Sequence, residues 1–128
     1  MDAPVRVLVA DDEEDIRLLV CLAVRKAGGT VVAAVGDGAE ALHEARAGRP
    51  DLVVLDVSMP GATGLEVCKA LRADPATAGC RVLLLSAGAG PDDIARGLAA
   101  GADAYLPKPF TIAGLVAQVR TLSVGTPA

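Results

Sequence analysis

Aromatic residues are nearly absent from this chain of 128 residues, which has no tryptophan, one tyrosine (Tyr105) and one phenylalanine (Phe110). Alanine, valine and leucine are left to fill the interior, which suits a sheet closely covered by helices, and little is available to stack a flat cofactor. Cysteine is scarce too. Cys21, Cys68 and Cys80 are odd in number, far apart and without C-x-x-C spacing, so neither a disulfide framework nor a zinc site is expected and all three read as ordinary thiols. Basic residues are outnumbered, 12 against 16 acids, and they are scattered, leaving a net charge of -4. That argues against a nucleic-acid surface, which needs clustered Lys and Arg to displace counterions, so no direct nucleic-acid contact is expected. No apolar run is long enough to span a bilayer, and Met1-Asp2 opens without the positive stretch of a signal peptide. The expected location is the cytoplasm, with no membrane contact.

What is present is a hydrophobic share of 52%, enough for one compact domain with a real core and no room for a second. The domain is expected to fill residues 1–124, with 125–128 as a tail or the start of a linker. Short β-type apolar runs alternate with longer helical stretches that close on Gly or Pro, the pattern of repeated βα units around a parallel sheet. The strands predicted are Val5 to Ala10, Val31 to Val35, Leu52 to Asp56, Val82 to Ser86 and Ala104 to Leu106. Runs such as Leu52-Val53-Val54-Leu55 do not alternate with polar residues, because a central parallel strand is buried on both faces. Helices are predicted over about Glu14 to Ala27, Gly38 to Ala47, Gly64 to Ala73, Pro91 to Gly101, and from Thr111 onward. The first two should stop with a left-handed glycine, at Gly28-Gly29 and at Gly48. His43 falls on the surface of the second helix.

In a doubly wound parallel sheet, ligands bind outside the carboxyl ends of the strands. Those ends are strongly polar here: Asp11-Asp12 after strand one, Asp56 closing strand three, Ser86 closing strand four and Lys108 after strand five. Three carboxylates in one crevice repel one another unless a cation sits among them, and hard oxygen ligands with room for water suit Mg²⁺, with Mn²⁺ as a substitute. With the metal and the Lys108 ammonium in place, a phosphoryl group finds charge compensation on both sides while Asp56 attacks in line. Ser86 can donate a hydrogen bond to a phosphoryl oxygen. Taken singly, each residue has an ordinary structural reading: acids at a helix start, a capping Asp, a solvated Lys, a packing Tyr. Their joint position at one end of one sheet is what independent structural roles would not require.

From Val5 to Leu122 the chain resembles the receiver domains of two-component response regulators. The resemblance rests on Asp11-Asp12, the segment Asp56-Val57-Ser58-Met59-Pro60-Gly61, Ser86-Ala87, Gly101-Ala102-Asp103 and Lys108-Pro109-Phe110. It implies a flavodoxin-like (βα)5 fold with strand order 2-1-3-4-5 and helices on both faces. It also implies that Asp56 is the phosphoacceptor, and that Asp12, Asp56 and the backbone carbonyl of Ser58 bind Mg²⁺ with Asp11 helping through water. Lys108 and Ser86 would hold the phosphoryl oxygens, Tyr105 would swing inward as Ser86 moves, and the peptide before Pro109 would be cis. The donor implied is a sensor histidine kinase or histidine phosphotransfer protein, docking on Ile16, Leu19, Pro109 and Phe110. The readout would be a separate effector or a covalently linked output domain, reached through the face of helix four, strand five and helix five. Ala87 should leave the pocket open to the donor. Ser58 and Gly88 offer no amide or acid to orient a hydrolytic water, so a long-lived phosphorylated state is expected.

Three rivals bear on the same residues. An FMN-binding flavodoxin would need Ser, Thr and backbone N–H groups where this chain has Asp11-Asp12. An aspartate-nucleophile phosphatase would resemble D-x-D at the nucleophile, where this chain has Ser58. A receiver-like module that never meets phosphate would not need the full set of Asp11, Asp12, Asp56, Ser86 and Lys108. The domain is therefore expected to act only on itself and not as a turnover enzyme. Receivers joined to winged-helix DNA-binding domains resemble one another in charge pairs that bind a dimer, but this chain has Ala104, Gly114 and Gln118 at those positions. A monomer, or a weak dimer dependent on phosphorylation, is the expected state. The chain reads as the amino-terminal receiver of a longer regulator.

Overall fold

The computed structural model describes residues 4–88 and 90–124; the tail expected at 125–128 lies outside them. Five strands alternate with five helices: β1 (Arg6–Ala10), α1 (Glu14–Lys26), β2 (Thr30–Val35), α2 (Gly38–Gly48), β3 (Leu52–Asp56), α3 (Gly64–Ala73), β4 (Arg81–Ser86), α4 (Pro91–Ala99), β5 (Ala104–Pro107) and α5 (Ile112–Val124). All neighbouring strands pair in parallel, in the order β2-β1-β3-β4-β5. This is the flavodoxin-like fold that the resemblance implies.

The two-residue period of a strand sends alternate side chains to opposite faces. Leu8, Val53, Leu55, Val82 and Leu84 therefore join Val67 and Leu71 of α3 in one core. Val7, Val9, Val54, Leu83 and Leu85 join Val20 and Val24 of α1 and Leu115 and Val119 of α5 in the other. Each fully buried Leu or Val contributes about 1.5–3 kcal/mol of transfer free energy. With both faces covered, the apolar part of the sheet ends where polar residues begin, at its carboxyl edge.

Local signals set the helix limits. Asp37 caps α2 by accepting from the Glu40 N–H at 2.7 Å. Thr63 and Glu66 form a reciprocal capping box that starts α3. Gly28 ends α1 in the left-handed region at φ 92°, as predicted. The end of α2 differs from the prediction. Gly48 stays helical and Arg49 takes the left-handed conformation at φ 45°, because the Arg6 guanidinium donates to the carbonyls of both residues, at 2.7 and 3.1 Å, and holds them there. Helix α4 stops at Ala99 rather than at Gly101, and Gly101 carries the chain toward β5 at φ 109°.

One close approach ties the fold to the strand end that matters most. A Cβ at Gly64 would land on the backbone carbonyl oxygen of Asp56 and against Val57 Cα. Backbone cannot move aside as a flexible side chain can, so Gly64→Ala is expected to lower stability by about 1–3 kcal/mol in urea denaturation. A loss below about 0.5 kcal/mol would show that α3 slides to accommodate it.

Candidate functional site

The carboxyl edge of the sheet brings Asp11, Asp56, Ser86 and Lys108 together, each placed by the end of a different strand. Asp11 follows β1 and is fully buried, and Asp56 closes β3 at 3% exposure. With exposed Asp12, their carboxylate oxygens all lie within 4.8 Å of one another. Lys108 answers this charge from the β5 side, its Nζ lying 3.1 Å from Asp11 Oδ2 and 3.4 Å from Asp56 Oδ1. Its backbone N–H donates to the Ser86 carbonyl at 2.7 Å, so the ends of β4 and β5 are in register at the crevice. The peptide between Lys108 and Pro109 is cis, as the resemblance implies.

The electrostatics of this cluster are unbalanced. Burial, and then the neighbouring Asp11 charge, push the Asp56 carboxyl up to about 6, although Lys108 and the Ser58 N–H, which donates at 3.3 Å, pull it down. Burial alone would lower Lys108, but the hydrogen bond to Asp11 and the charges of Asp56 and Asp11 outweigh it and hold the ammonium above its ordinary value. One lysine does not neutralise three carboxylates. Hard oxygen donors at this spacing fit a small divalent cation, which would supply the missing positive charge.

Beside the acids, the Ser86 hydroxyl accepts from the Gly88 N–H at 3.0 Å, and the Tyr105 hydroxyl donates to the Gly88 carbonyl at 2.6 Å. The backbone of Gly88, through its N–H on one side and its carbonyl on the other, thus links the two residues expected to switch, a connection that the sequence reading did not contain. Ile16, Leu19, Pro109 and Phe110 line one groove of about 470 Å³ with Ala87 and Lys108, so all four expected docking residues meet at the rim of the crevice. Leu19 is exposed there, whereas Ile16 and Phe110 are half-buried against the α1/α5 core.

Other site residues escaped the sequence reading. Glu13 Oε1 lies 3.6 Å from Lys108 Nζ, and Arg17 donates to the Asp11 carbonyl at 2.9 Å, fixing the loop that carries the acids. The Asp93 carboxylate occupies the space beside Gly88, where a Cβ would meet its Oδ2 at 2.8 Å. Asp103, by contrast, works at the opposite end of the sheet. It accepts from the Val82 N–H and from Arg72, both at 2.8 Å, and Arg72 also donates to the carbonyls of Gly101, Ala78 and Cys80. Its place in the Gly101-Ala102-Asp103 motif is architectural. The three cysteines are free and buried, and burial raises their thiols, Cys68 to about 11, which agrees with inert packing roles.

Fold and site together define a class: a doubly wound α/β domain whose strand ends hold a buried acidic cluster answered by a single lysine. The chain belongs to the response regulator receiver domain family, whose profile matches residues 7–120. It is 48% identical over 117 residues to the transcriptional regulatory protein PrrA of Mycobacterium tuberculosis, covering 91% of this chain and 49% of that one. It is 42% identical over 115 residues to the DNA-binding response regulator MtrA of the same organism, covering 90% and 49%. The chain therefore spans about half the length of the curated relatives it matches. Among solved structures, the signal receiver domain of the response regulator NarL from Mycobacterium tuberculosis superposes with a TM-score of 0.89 at 35% identity, over 98% of this chain and 100% of that one. The chemotaxis response regulator CheY4 of Vibrio cholerae gives 0.87 at 34% identity, over 94% and 99%. Among the described residues, no helix is long and apolar enough to cross a membrane.

Proposed function

We propose that this domain accepts a phosphoryl group on Asp56 from the phospho-histidine of a sensor kinase or histidine phosphotransfer protein, in the cytoplasm. The observation that carries the reading is the buried Asp56 carboxylate, 3.4 Å from Lys108 Nζ and clustered with Asp11 and Asp12. In the transfer, the phosphorus–nitrogen bond to the donor imidazole breaks as a phosphorus–oxygen bond to Asp56 forms, and the imidazole nitrogen keeps the electron pair. Lys108 meets the charge on the phosphoryl oxygens. Asp12, Asp56 and the Ser58 carbonyl would hold Mg²⁺ or Mn²⁺, with Asp11 assisting through water. When bound, the metal offsets the repulsion between these carboxylates and the incoming group.

Ser86 and Tyr105 carry the switch. Once the Ser86 side chain rotates to carry its Oγ toward a phosphoryl oxygen, Oγ leaves the Gly88 N–H, and the Gly88 backbone, whose carbonyl holds Tyr105, is free to move. The face of α4, β5 and α5 then changes for a linked output domain or a separate effector, with the domain monomeric or weakly dimeric. It acts once on itself and is not a turnover enzyme.

Two phosphoryl donors test the site and its docking groove together. Acetyl phosphate with Mg²⁺ should add one phosphoryl group by intact mass, and chelation of the metal should abolish it. Ile16→Ala should slow transfer from the kinase and leave labelling by acetyl phosphate intact. Labelling without divalent metal overturns the site; equal slowing with both donors overturns the docking groove.

The phosphorylated form should decay slowly. Ser58 brings a short hydroxyl and Gly88 no side chain to the path of a hydrolytic water, so the water lacks an orienting partner there. Because Asp93 already fills the space next to Gly88, a larger side chain at that position must displace it, and Ser58→Asn is the cleaner probe. This variant should lose phosphate several-fold faster after donor removal, with amide orientation of the water as the cause. Decay within seconds in the parent, or no acceleration in the variant, shows that this position does not set the lifetime.

A further inference from the structure

Helix α1 turns Val20, Ala23 and Val24 inward, yet it also carries leucines on its outer surface. Leu18 is 62% exposed and Leu22 44% exposed. At 100° per residue these two lie opposite the buried residues, so they form the crest of the helix rather than the margin of its packed face. Single exposed leucines are ordinary, but these continue into charge. Asp15 precedes Leu18 by three residues and Arg25 follows Leu22 by three, giving one stripe of Asp15, Leu18, Leu22 and Arg25 with spacing three, four, three. That spacing is the seam along which two helices pair. Both charged residues are exposed, and neither has an ion-pair partner among the described residues.

We propose that α1 pairs with α1 of a second copy of this chain, antiparallel about a two-fold axis, independently of phosphorylation. The stripe is complementary to itself in both shape and charge. With Leu18 opposite the second copy's Leu22, the same register sets Asp15 opposite the second copy's Arg25, and the two-fold repeats each contact. Glu14 and Lys26 add an acidic start and a basic end to the same helix, so antiparallel pairing lays unlike ends together and parallel pairing lays like ends together. A second copy suits this stripe better than an unrelated helix, because the register satisfying the leucines also satisfies the charges. The 13-residue helix is about 20 Å long, and pairing along one such helix buries less than the roughly 800 Å² per partner of a standard interface. The association is weak and reversible.

Sedimentation velocity on the unphosphorylated chain, from micromolar to millimolar, tests the pairing. The parent should shift toward twice the monomer mass as concentration rises. Asp15→Arg alone should remain monomeric over the range in which the parent associates, because each copy then sets Arg against Arg. Arg25→Asp alone should do the same with Asp against Asp. An equimolar mixture of the two variants should associate again, because in the mixed dimer both positions pair Arg with Asp. Circular dichroism of each variant, expected to match the parent, with melting lowered by only a few degrees because each substitution sets a charge against the helix dipole, excludes unfolding as the reason for lost association. A parent that stays monomeric throughout overturns the proposal. So do single variants that associate like the parent, or a mixture that stays monomeric, since a groove for a kinase helix or for the remainder of a longer chain would not be restored by mixing.

Discussion

Replacing Asp56 by Asn is expected to reduce phosphoryl acceptance to background with either acetyl phosphate or a phospho-histidine donor. The amide keeps the shape of the carboxylate but lacks its anionic oxygen, so it neither attacks phosphorus nor contributes a charged ligand to the metal. The neighbouring acids do not replace it. Asp11 is tied to Lys108 at 3.1 Å and to the Glu13 N–H at 2.9 Å, and Asp12 is exposed at the mouth of the crevice. Intact mass measured under conditions that saturate the parent reads the outcome. A persisting single increment in Asp56→Asn would move the acceptor to Asp11 or Asp12, and peptide mapping would tell which.

The same variant is expected to be more stable than the parent, by an amount that depends on pH. Burial and the Asp11 charge raise the Asp56 carboxyl from 3.8 to about 6, so the folded state holds a proton that the unfolded chain releases. The consequence runs in one direction: ionised Asp56 opposes folding, and parental stability falls as pH rises from about 4 to about 6. Just over two pKa units correspond to roughly 3 kcal/mol. Urea denaturation in chelator should therefore show Asp56→Asn more stable by roughly 2–3 kcal/mol near pH 7, and nearly equal to the parent below about pH 4. Mg²⁺ should close part of the gap by stabilising the parent more than the variant, since metal that binds only the folded form adds to stability. A difference that does not vary with pH would show that the strain at Asp56 is not electrostatic.

How far the site was legible in the sequence depends on how each residue reaches it. Asp11, Asp12, Asp56, Ser86 and Lys108 could be read because a parallel βα chain delivers the end of each strand to the same edge, so position in the chain becomes position in space. The strands were legible for a related reason: burial on both faces leaves runs such as Val82-Leu83-Leu84-Leu85 without polar interruption. The capping box at Thr63 and Glu66 lies in the sequence as Thr63-Gly64-Leu65-Glu66, a local signal for the start of α3 that the sequence reading did not draw on. Contacts between elements distant in the chain carried no such signal. Glu13 approaches Lys108, 95 positions further along the chain, only because β1 and β5 end on one side. Arg72 reaches Asp103 because α3 packs beside the entry to β5. Arg49, not Gly48, takes the left-handed turn because Arg6 reaches across from β1 to hold it.

Periodicity and strand-end chemistry therefore determined the alternation of strands and helices, the polar edge of the sheet and the acidic cluster on it. Tertiary structure alone decided the charge imbalance at Asp56, the Gly88 backbone linking Ser86 to Tyr105, and the outward crest of α1. The reason is physical: the first set follows from backbone geometry that repeats along the chain, and the second from side-chain distances and burial that exist only once the helices are docked on the sheet.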